Sequence, residues 1–551
     1  MSNPILEPVF LDSTAQKAVG HLKDISDALS TMTLIQGGGI PEGASIADIK
    51  ALLSVGVGRY GVSGVGGSAA KLMRLWDAAD FPDPVPSTDT VQGSSPFDNI
   101  KPFNRRKCVG TWSKDPNSAK AVFTVNAYFG DGDYTEDGTN GDYVAIDVEP
   151  FYYYQYNGVI AVSEYRYPGF TIHPVCMDAE GNIRKHTYIP AYAMAMVDGH
   201  PVSLPGYENE RGGYSTHITN ARKYNNDAAK AYAIIEPAAV MHYEWLLMTI
   251  EYATQNMQTF INGAVSMRYN ANDIIVAMPA ANQIIVGVGG ADLVVGQSIY
   301  LGSAHDASVD VVLYNHITEI QRCDETGTVS EEGAYYLITY DGVDRTDTLV
   351  AGTSKFGSRP WITGATAGYA HGVHAVVGHT GSPVDLLNGR YPMRYRWREN
   401  VYGNQNMTLL DLMNIRVDEG EEVYHLDWYH LSDPRKATAT NPSKATLTNP
   451  ANGWAKLSVY TPSAEYKNGY IRELTPDTAH PHIRIPTVMT GASATTYVCD
   501  YAFLVYSTEV RAVRRGGYVY YGASAGPCYL YAYSAPSAAP WSYGAALFFI
   551  Q

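Results

Sequence analysis

Apolar positions at the start of the chain recur with helical spacing. After Ser13, a good N-cap residue, Ala15, Ala18, Leu22, Ile25, Leu29 and Met32 alternate at intervals of three and four. This heptad stripe is shorter than a secure coiled coil, so two readings stay open: an amphipathic helix lying on a neighbouring domain, or self-association in a bundle. SIADIKALLS (45–54) predicts a second short helix and AAKLMRLWDAAD (69–80) a third. The glycines of GVGRYGVSGVGG (56–67) argue against any regular element between them. Residues 81–100, rich in Pro, Ser, Asp and Gly, read as a linker. The first 95 residues are thus expected to be a helical attachment or oligomerisation region.

Beyond residue 96 the period shortens. AVFTVNAYF, YVAIDVEPFYYYQY and GVIAVSEYRY predict strands separated by Gly, Asp and Asn turns. DAAKAYAIIE (227–236) and HYEWLLMTIEYATQNMQTFI (242–261) predict helices. From 276 to 350 the runs QIIVGVG, ADLVVG, SIYLGS, VDVVLYN, ITEIQ and YYLITYDG predict a small barrel or sandwich of its own. Residues 355–440 read as loop-rich, and 450–551 return to short strands. No repeat of fixed period is present.

Composition narrows the function classes. The 551 residues suffice for several domains. The net charge of −16 argues against a nucleic-acid partner. No apolar run reaches the roughly 18 residues needed to span a bilayer, so membrane insertion is not expected. The opening MSNPILEPVFLD lacks a basic stretch followed by an apolar one, so no secretory signal is visible. Five scattered cysteines (108, 176, 323, 499 and 528) argue against a disulfide scaffold. Tyrosine, at 43 residues, far outnumbers Phe at 13 and Trp at 8. It joins a large rigid contact area to a polar tip, a chemistry suited to binding surfaces.

Candidate chemistry is thin. DGDYTEDGTNGD (131–142) places Asp131, Asp133 and Thr135 at calcium-loop positions one, three and five. Glu136 stands where the turn needs Gly, and Asp142 replaces the closing Glu, so a solvated hairpin turn is the better reading. His371, His374, His379, His480 and His482 lack a Glu at zinc-protease spacing and read as surface or hydrogen-bonded histidines. No phosphate loop, nucleophile elbow or activated cysteine is evident, and no cofactor is expected.

The last 36 residues (516–551) contain no Asp, Glu, Lys, Arg or His. Seven tyrosines fall between 518 and 543 among Ser, Ala, Gly and Pro, and YLYAY would put residues 529, 531 and 533 on one face of a strand. From the residues alone, a buried core and a binding surface are equally open.

Arg515-Gly516-Gly517, Gly522, Gly526, Pro536-Ser537, Trp541 and Gly544-Ala545-Ala546-Leu547 resemble the variable region of proteins diversified by diversity-generating retroelements. Ala546 departs from the Arg usual there. Upstream, FDNIKPFNRRKC, GDYVAIDVEPFYYYQY and YPGFTIHPVCMDAEGN resemble the opening of the tail-associated members. LLMTIEYATQN and YPMRYRWRENVYGNQN resemble their middle, and TYVCDYAF the approach to the variable region. The resemblance implies an α+β fold: a C-type lectin-like domain of the formylglycine-generating-enzyme type. It would run over 96–275 and 351–551, interrupted by the inserted β domain at 276–350.

In that family, template adenines are randomised, chiefly in Asn codons that cannot yield Lys, Glu, Gln, Met or Trp. Residues 518–543 contain none of these five except Trp541, which matches a fixed scaffold position. The resemblance implies a ligand-binding set within about 516–546: Tyr518, Val519, Tyr520, Tyr521, Ser524, Tyr531, Tyr533, Ser534, Ala538, Pro540, Ser542 and Tyr543. The tyrosines at 518, 520, 521, 531, 533 and 543 are expected to be accessible on one surface, with Trp541, Leu547 and Phe549 packed inward. It further implies a phage tail receptor-binding protein: a virion component made in the host cytoplasm, a homotrimer that binds a host cell-surface protein or glycan. Its N-terminal region would meet other tail proteins. A cellular display protein with the same fold is the alternative, and would need a secretion signal or lipid anchor. An enzyme of the formylglycine-generating type would need paired cysteines and several arginines in this segment, where Cys528 stands alone. No catalytic function is expected.

Overall fold

A computed structural model of the chain describes residues 58–87, 93–118, 120–225, 232–267, 272–277, 282–287, 293–302, 312–342, 350, 352–366, 374–376, 389–420, 423–462, 468–505 and 507–551. The heptad stripe, the 45–54 helix, His371 and His379 lie outside these residues. The architecture is mostly β, 41% strand against 11% helix, with a curled half-barrel sheet.

The N-terminal boundary differs from the expectation. Arg59–Ser63 and Met73–Trp76, expected as a glycine break and a helix, are neighbouring strands of a five-stranded sheet. Arg59–Ser63 also pairs with Val159–Ser163, so the fold begins well before residue 96. Gly61 is the physical reason. A Cβ there would lie 2.7 Å from the Trp76 ring and 2.8 Å from the Ala161 Cβ. The glycine that suggested a break is what lets the strands close.

The strands expected after residue 120 form as Ala121–Tyr128, Tyr143–Val148, Tyr152–Tyr156 and Val159–Ser163. Two α-helices follow, α1 (Tyr214–Arg222) and α2 (Ala238–Tyr252). All of α2 except Met241 is buried, which places it inside the core rather than on a surface. It ends where Ala253 turns left-handed at φ 48°. The helix expected at 227–236 is not formed over its described part. Ala233–Ile235 is instead a buried strand paired with Leu547–Phe549, because tertiary pairing with the C-terminus outweighs local helical propensity.

Six strands between Asn272 and Ser358 close into a barrel. Its core comprises Ile284, Val286, Leu293, Ile299, Leu301, Ile317, Ile338, Tyr340 and Phe356. Closure pairs Asn272 with Phe356, so the barrel extends past 276–350 at both ends. Leu293–Val294, expected as a strand, is outside the ladders.

The region 355–440, expected to be loop-rich, carries two long paired strands, Asn406–Gly420 and Val423–Leu431. They are central to an eight-stranded sheet. The first ten residues of Asn406–Gly420 are buried on both faces, which removes the alternation that marks a strand in sequence. The sheet continues through Arg511–Gly516, Gly526–Ala532 and Tyr501–Leu504, and Tyr543–Gly544 adds in parallel beside Asn406. The C-terminal segment is thus woven into the largest sheet.

Candidate functional site

The site is built from a buried charge network outward. Glu244 and Glu251 of α2, with Glu236 just before it, meet four arginines. Arg105 donates Nη1 to both oxygens of Glu244 at 2.8 and 2.9 Å. Arg396 donates Nε and Nη2 to Glu251 at 2.7 and 2.6 Å. Arg515 donates Nε and Nη2 to Glu236 at 2.8 and 3.0 Å, and Arg398 also bonds Glu236. All seven side chains are buried. Bidentate pairing of this kind fixes both partners in orientation. The arginines come from FNRRKC, RYRWRE and RRGG, so distant segments are tied to one helix.

The glycines of the C-terminal motif are fixed by steric need. Gly516 and Gly517 have φ of 87° and 79°. A Cβ on Gly526 would lie 1.8 Å from Oδ1 of Asp500, whose Oδ2 accepts the Cys528 N–H at 2.6 Å. Burial raises the Asp500 carboxyl well above its ordinary range. A Cβ on Gly544 would lie 2.2 Å from Oε1 of Gln405. Trp541 is buried under the Arg359 guanidinium, 4.5 Å from its ring, beside Trp361 and Val519.

Between these fixed points the tyrosines form two connected groups. The Tyr518 ring lies 4.8 Å from Tyr520 and 4.1 Å from Tyr521, and Tyr520 lies 5.6 Å from Trp541. The second group joins Tyr531 to Tyr543 at 5.7 Å and to Tyr533 at 6.2 Å. Phe503 bridges the groups, 5.3 Å from Tyr521 and 6.1 Å from Tyr531.

The expected accessible face needs correction. Only Tyr533, 49% exposed, and Pro540 are open to solvent. Tyr518, Tyr520, Tyr521, Ser524, Tyr531, Ser534 and Ala538 are half-buried. Val519, Ser542 and Tyr543 are buried, Tyr543 to 4%. Trp541, Leu547 and Phe549 are inward. The expectation rested on the segment having no charged groups, but Arg514 just before it and Ser534 within it supply partners. The Arg514 guanidinium stacks on the Tyr543 ring at 3.8 Å. The Ser534 hydroxyl bonds those of Tyr531 and Tyr543 at 3.0 and 2.7 Å. Burial pushes the Tyr543 and Tyr521 phenols up and the Arg514 guanidinium down.

Phe503 and Arg514 belong to the cluster and were not expected there, and Tyr529, expected on one strand face with Tyr531 and Tyr533, joins it in the buried part. TYVCDYAF and RAVRR carried that signal, since both lie on strands flanking Gly526–Ala532. In the 131–142 loop, Glu136 is not solvated: it pairs with Lys107 and accepts from the hydroxyls of Tyr134 and Tyr192. Among the described residues, no group of three or more His, Cys, Asp or Glu could hold a metal ion. No described helix is long and apolar enough to cross a membrane. All five cysteines are free and buried.

No family model matches the chain, and no curated protein matches it.

Proposed function

We propose that this chain is a phage tail receptor-binding protein whose C-terminal segment, on a C-type lectin-like scaffold, binds a host cell-surface receptor. One observation carries the reading. The residues expected to be fixed (Arg515, Gly526, Trp541 and Gly544) are each held by a buried partner outside the segment. Among those expected to vary, the ring of Tyr518 lies against Tyr520 and Tyr521 and that of Tyr531 against Tyr533 and Tyr543, and Tyr533 and Pro540 reach solvent. That separation suits a surface whose side chains change while its backbone does not. Tyrosines supply contact area at low entropic cost. On this reading the chain binds and does not catalyse, and it is a trimer joined through its N-terminal region. Light scattering is then expected to give about three times the 60.1 kDa chain mass.

The deciding experiment is adsorption of purified protein to host cells, comparing the intact chain with Tyr533→Ala and Pro540→Ala. Lost adsorption at unchanged melting temperature supports the reading; unchanged adsorption of both overturns it. A near-copy of the last ~100 nucleotides differing only at adenines, beside a reverse transcriptase, would establish diversification independently.

A further inference from the structure

We propose a second ligand site, remote in sequence from the C-terminal segment and built for an acidic saccharide, a sugar ring bearing a carboxylate or sulfate. It is the cleft between the Tyr152–Tyr156/Val159–Ser163 hairpin and the residues around Arg472–Pro476. The cleft encloses about 560 Å³, within the range of small-molecule sites. None of its lining residues lies in 516–546, so its chemistry stays constant while the C-terminal side chains change.

One rim is a tight hairpin. Asn157 and Gly158 have φ of 47° and 71°, as a two-residue turn of the primed type requires. Tyr156 pairs with Val159 and leaves its side chain 63% exposed at the rim. Across the cleft, Arg484 pairs with Pro476 in the opposing ladder and stacks on Trp245 of α2 at 4.1 Å. Its Nη2 donates to the Leu474 carbonyl at 3.4 Å, and its buried Nε has no partner. Among the described residues no carboxylate pairs with it. Burial pushes this guanidinium down from its usual range. A half-buried cation without a counter-charge is costly, and a ligand anion would supply the charge through the bidentate geometry guanidinium favours.

The rest of the lining extends the chemistry beyond a bare anion. Arg472, exposed, lies 5.2 Å over the Tyr497 ring. Glu473 is the one carboxylate on the lining, against two guanidiniums. The space exceeds what an inorganic anion fills. The exposed ring of Tyr156 offers a flat apolar face for the C–H side of a pyranose, and the exposed Asn157 offers an amide for its hydroxyls.

The test is calorimetric titration of the full chain with a hexuronic-acid tetrasaccharide, a neutral glucose tetrasaccharide of equal length, and sodium sulfate. Binding of the acidic sugar at least about ten-fold tighter than either control supports the proposal, as one well-placed charged contact is worth about that factor. Arg472→Gln and Arg484→Gln should each weaken it by about ten-fold and Tyr156→Ala by several-fold. Equal binding of acidic and neutral sugars overturns it, as does sulfate binding as tightly as the acidic sugar. So does the absence of binding at millimolar ligand. If Arg484→Gln fails to fold, the exposed Arg472 and Tyr156 decide: unchanged affinity in both overturns the proposal.

Discussion

Acid should destabilise this protein through two buried histidines whose hydrogen bonds demand that both stay neutral. The Val175 N–H donates to Nδ1 of His173 at 3.1 Å, so that nitrogen carries no proton. His173 Nε2 must therefore be the donor to His242 Nδ1, 2.9 Å away. His242 Nε2–H in turn donates to Oε1 of Gln155 at 3.1 Å. Every position in this chain is filled, and a second proton on either ring would face another N–H. Burial lowers His173 from 6.5 to about 3. It takes His242 well below its ordinary value, with His173, His482 and Arg484 adding to the effect. His482 is lowered by burial and by the neighbouring His430, His173 and His480, while Asp411 lies within 3.3 Å of His430.

The sign follows from proton counting. Below 6.5 the unfolded chain protonates His173 and the native state does not, so stability falls with falling pH until the native pKa is reached. Between pH 6.5 and 4.5 the slope approaches about 1.4 kcal/mol per unit, which sums to about 2 kcal/mol from His173 alone. Against a typical native stability of about 5–15 kcal/mol, this is a large fraction. The assay is urea unfolding at pH 7.5, 6.5, 5.5 and 4.5 for the intact chain and for His173→Asn. Asparagine keeps an acceptor at the N-cap while removing the titrating ring. Carboxylates contribute to both proteins and cancel in the comparison. The variant should lose less stability than the parent below pH 6.5, by about 1.4 kcal/mol per unit. Parallel pH profiles would refute the argument that these rings are held neutral.

Tyr543→Ala should cost about 3 kcal/mol in urea unfolding, as expected for a buried aromatic, whereas Tyr533→Ala should stay within about 0.5 kcal/mol. Glu236→Gln removes the buried carboxylate of Arg515 and leaves Arg398 only Glu244, at 3.5 Å, and should lose about 3–5 kcal/mol by the same measurement. Gly526→Ala should lower the melting temperature sharply, because its Cβ would lie 1.8 Å from the Asp500 carboxylate; a melt unchanged within error would show that Asp500 moves freely aside.

Local signals reached as far as they depend on neighbours in sequence. The strands around Val144, Tyr153 and Ile160 are β-branched and aromatic runs between Gly, Asp and Asn turns, the helix through Trp245 is one long, largely apolar run, and the β runs of the 272–358 barrel are bounded by glycine. What escaped depended on packing between distant segments. Gly61 reads as a break until Trp76 is seen against it. Ala233–Ile235 reads as helix until Leu547–Phe549 pairs with it. Tyr543 reads as exposed because its own segment has no charge, yet Arg514 and Ser534 close over it. The charge network was invisible for a similar reason: Glu236, Glu244 and Glu251 carry no sign of which arginines will meet them.

These positions also predict how freely the C-terminal segment can change. A side chain tolerates exchange in proportion to how much of its contact surface is shared with solvent or with residues that exchange alongside it. Tyr533 and Pro540 meet the first condition. Tyr518, Tyr520, Tyr521 and Tyr531 partly meet the second, because many of their ring neighbours belong to the same set. Phe503 is a fixed neighbour for two of them and narrows their choice to flat or small side chains. Val519 meets neither condition, packing with Trp361 and Trp541, and Tyr543, although it touches Tyr531 and Ser534, is buried and clasped by Arg514. On the proposed reading, diversity should therefore be graded rather than uniform. It should be broad at 533 and 540, correlated among 518, 520, 521 and 531, and narrow at 519 and 543. A set of sibling sequences with arginine at 543 as often as at 533 would contradict this ordering, because the buried site already holds the Arg514 guanidinium and a second cation there would be repelled.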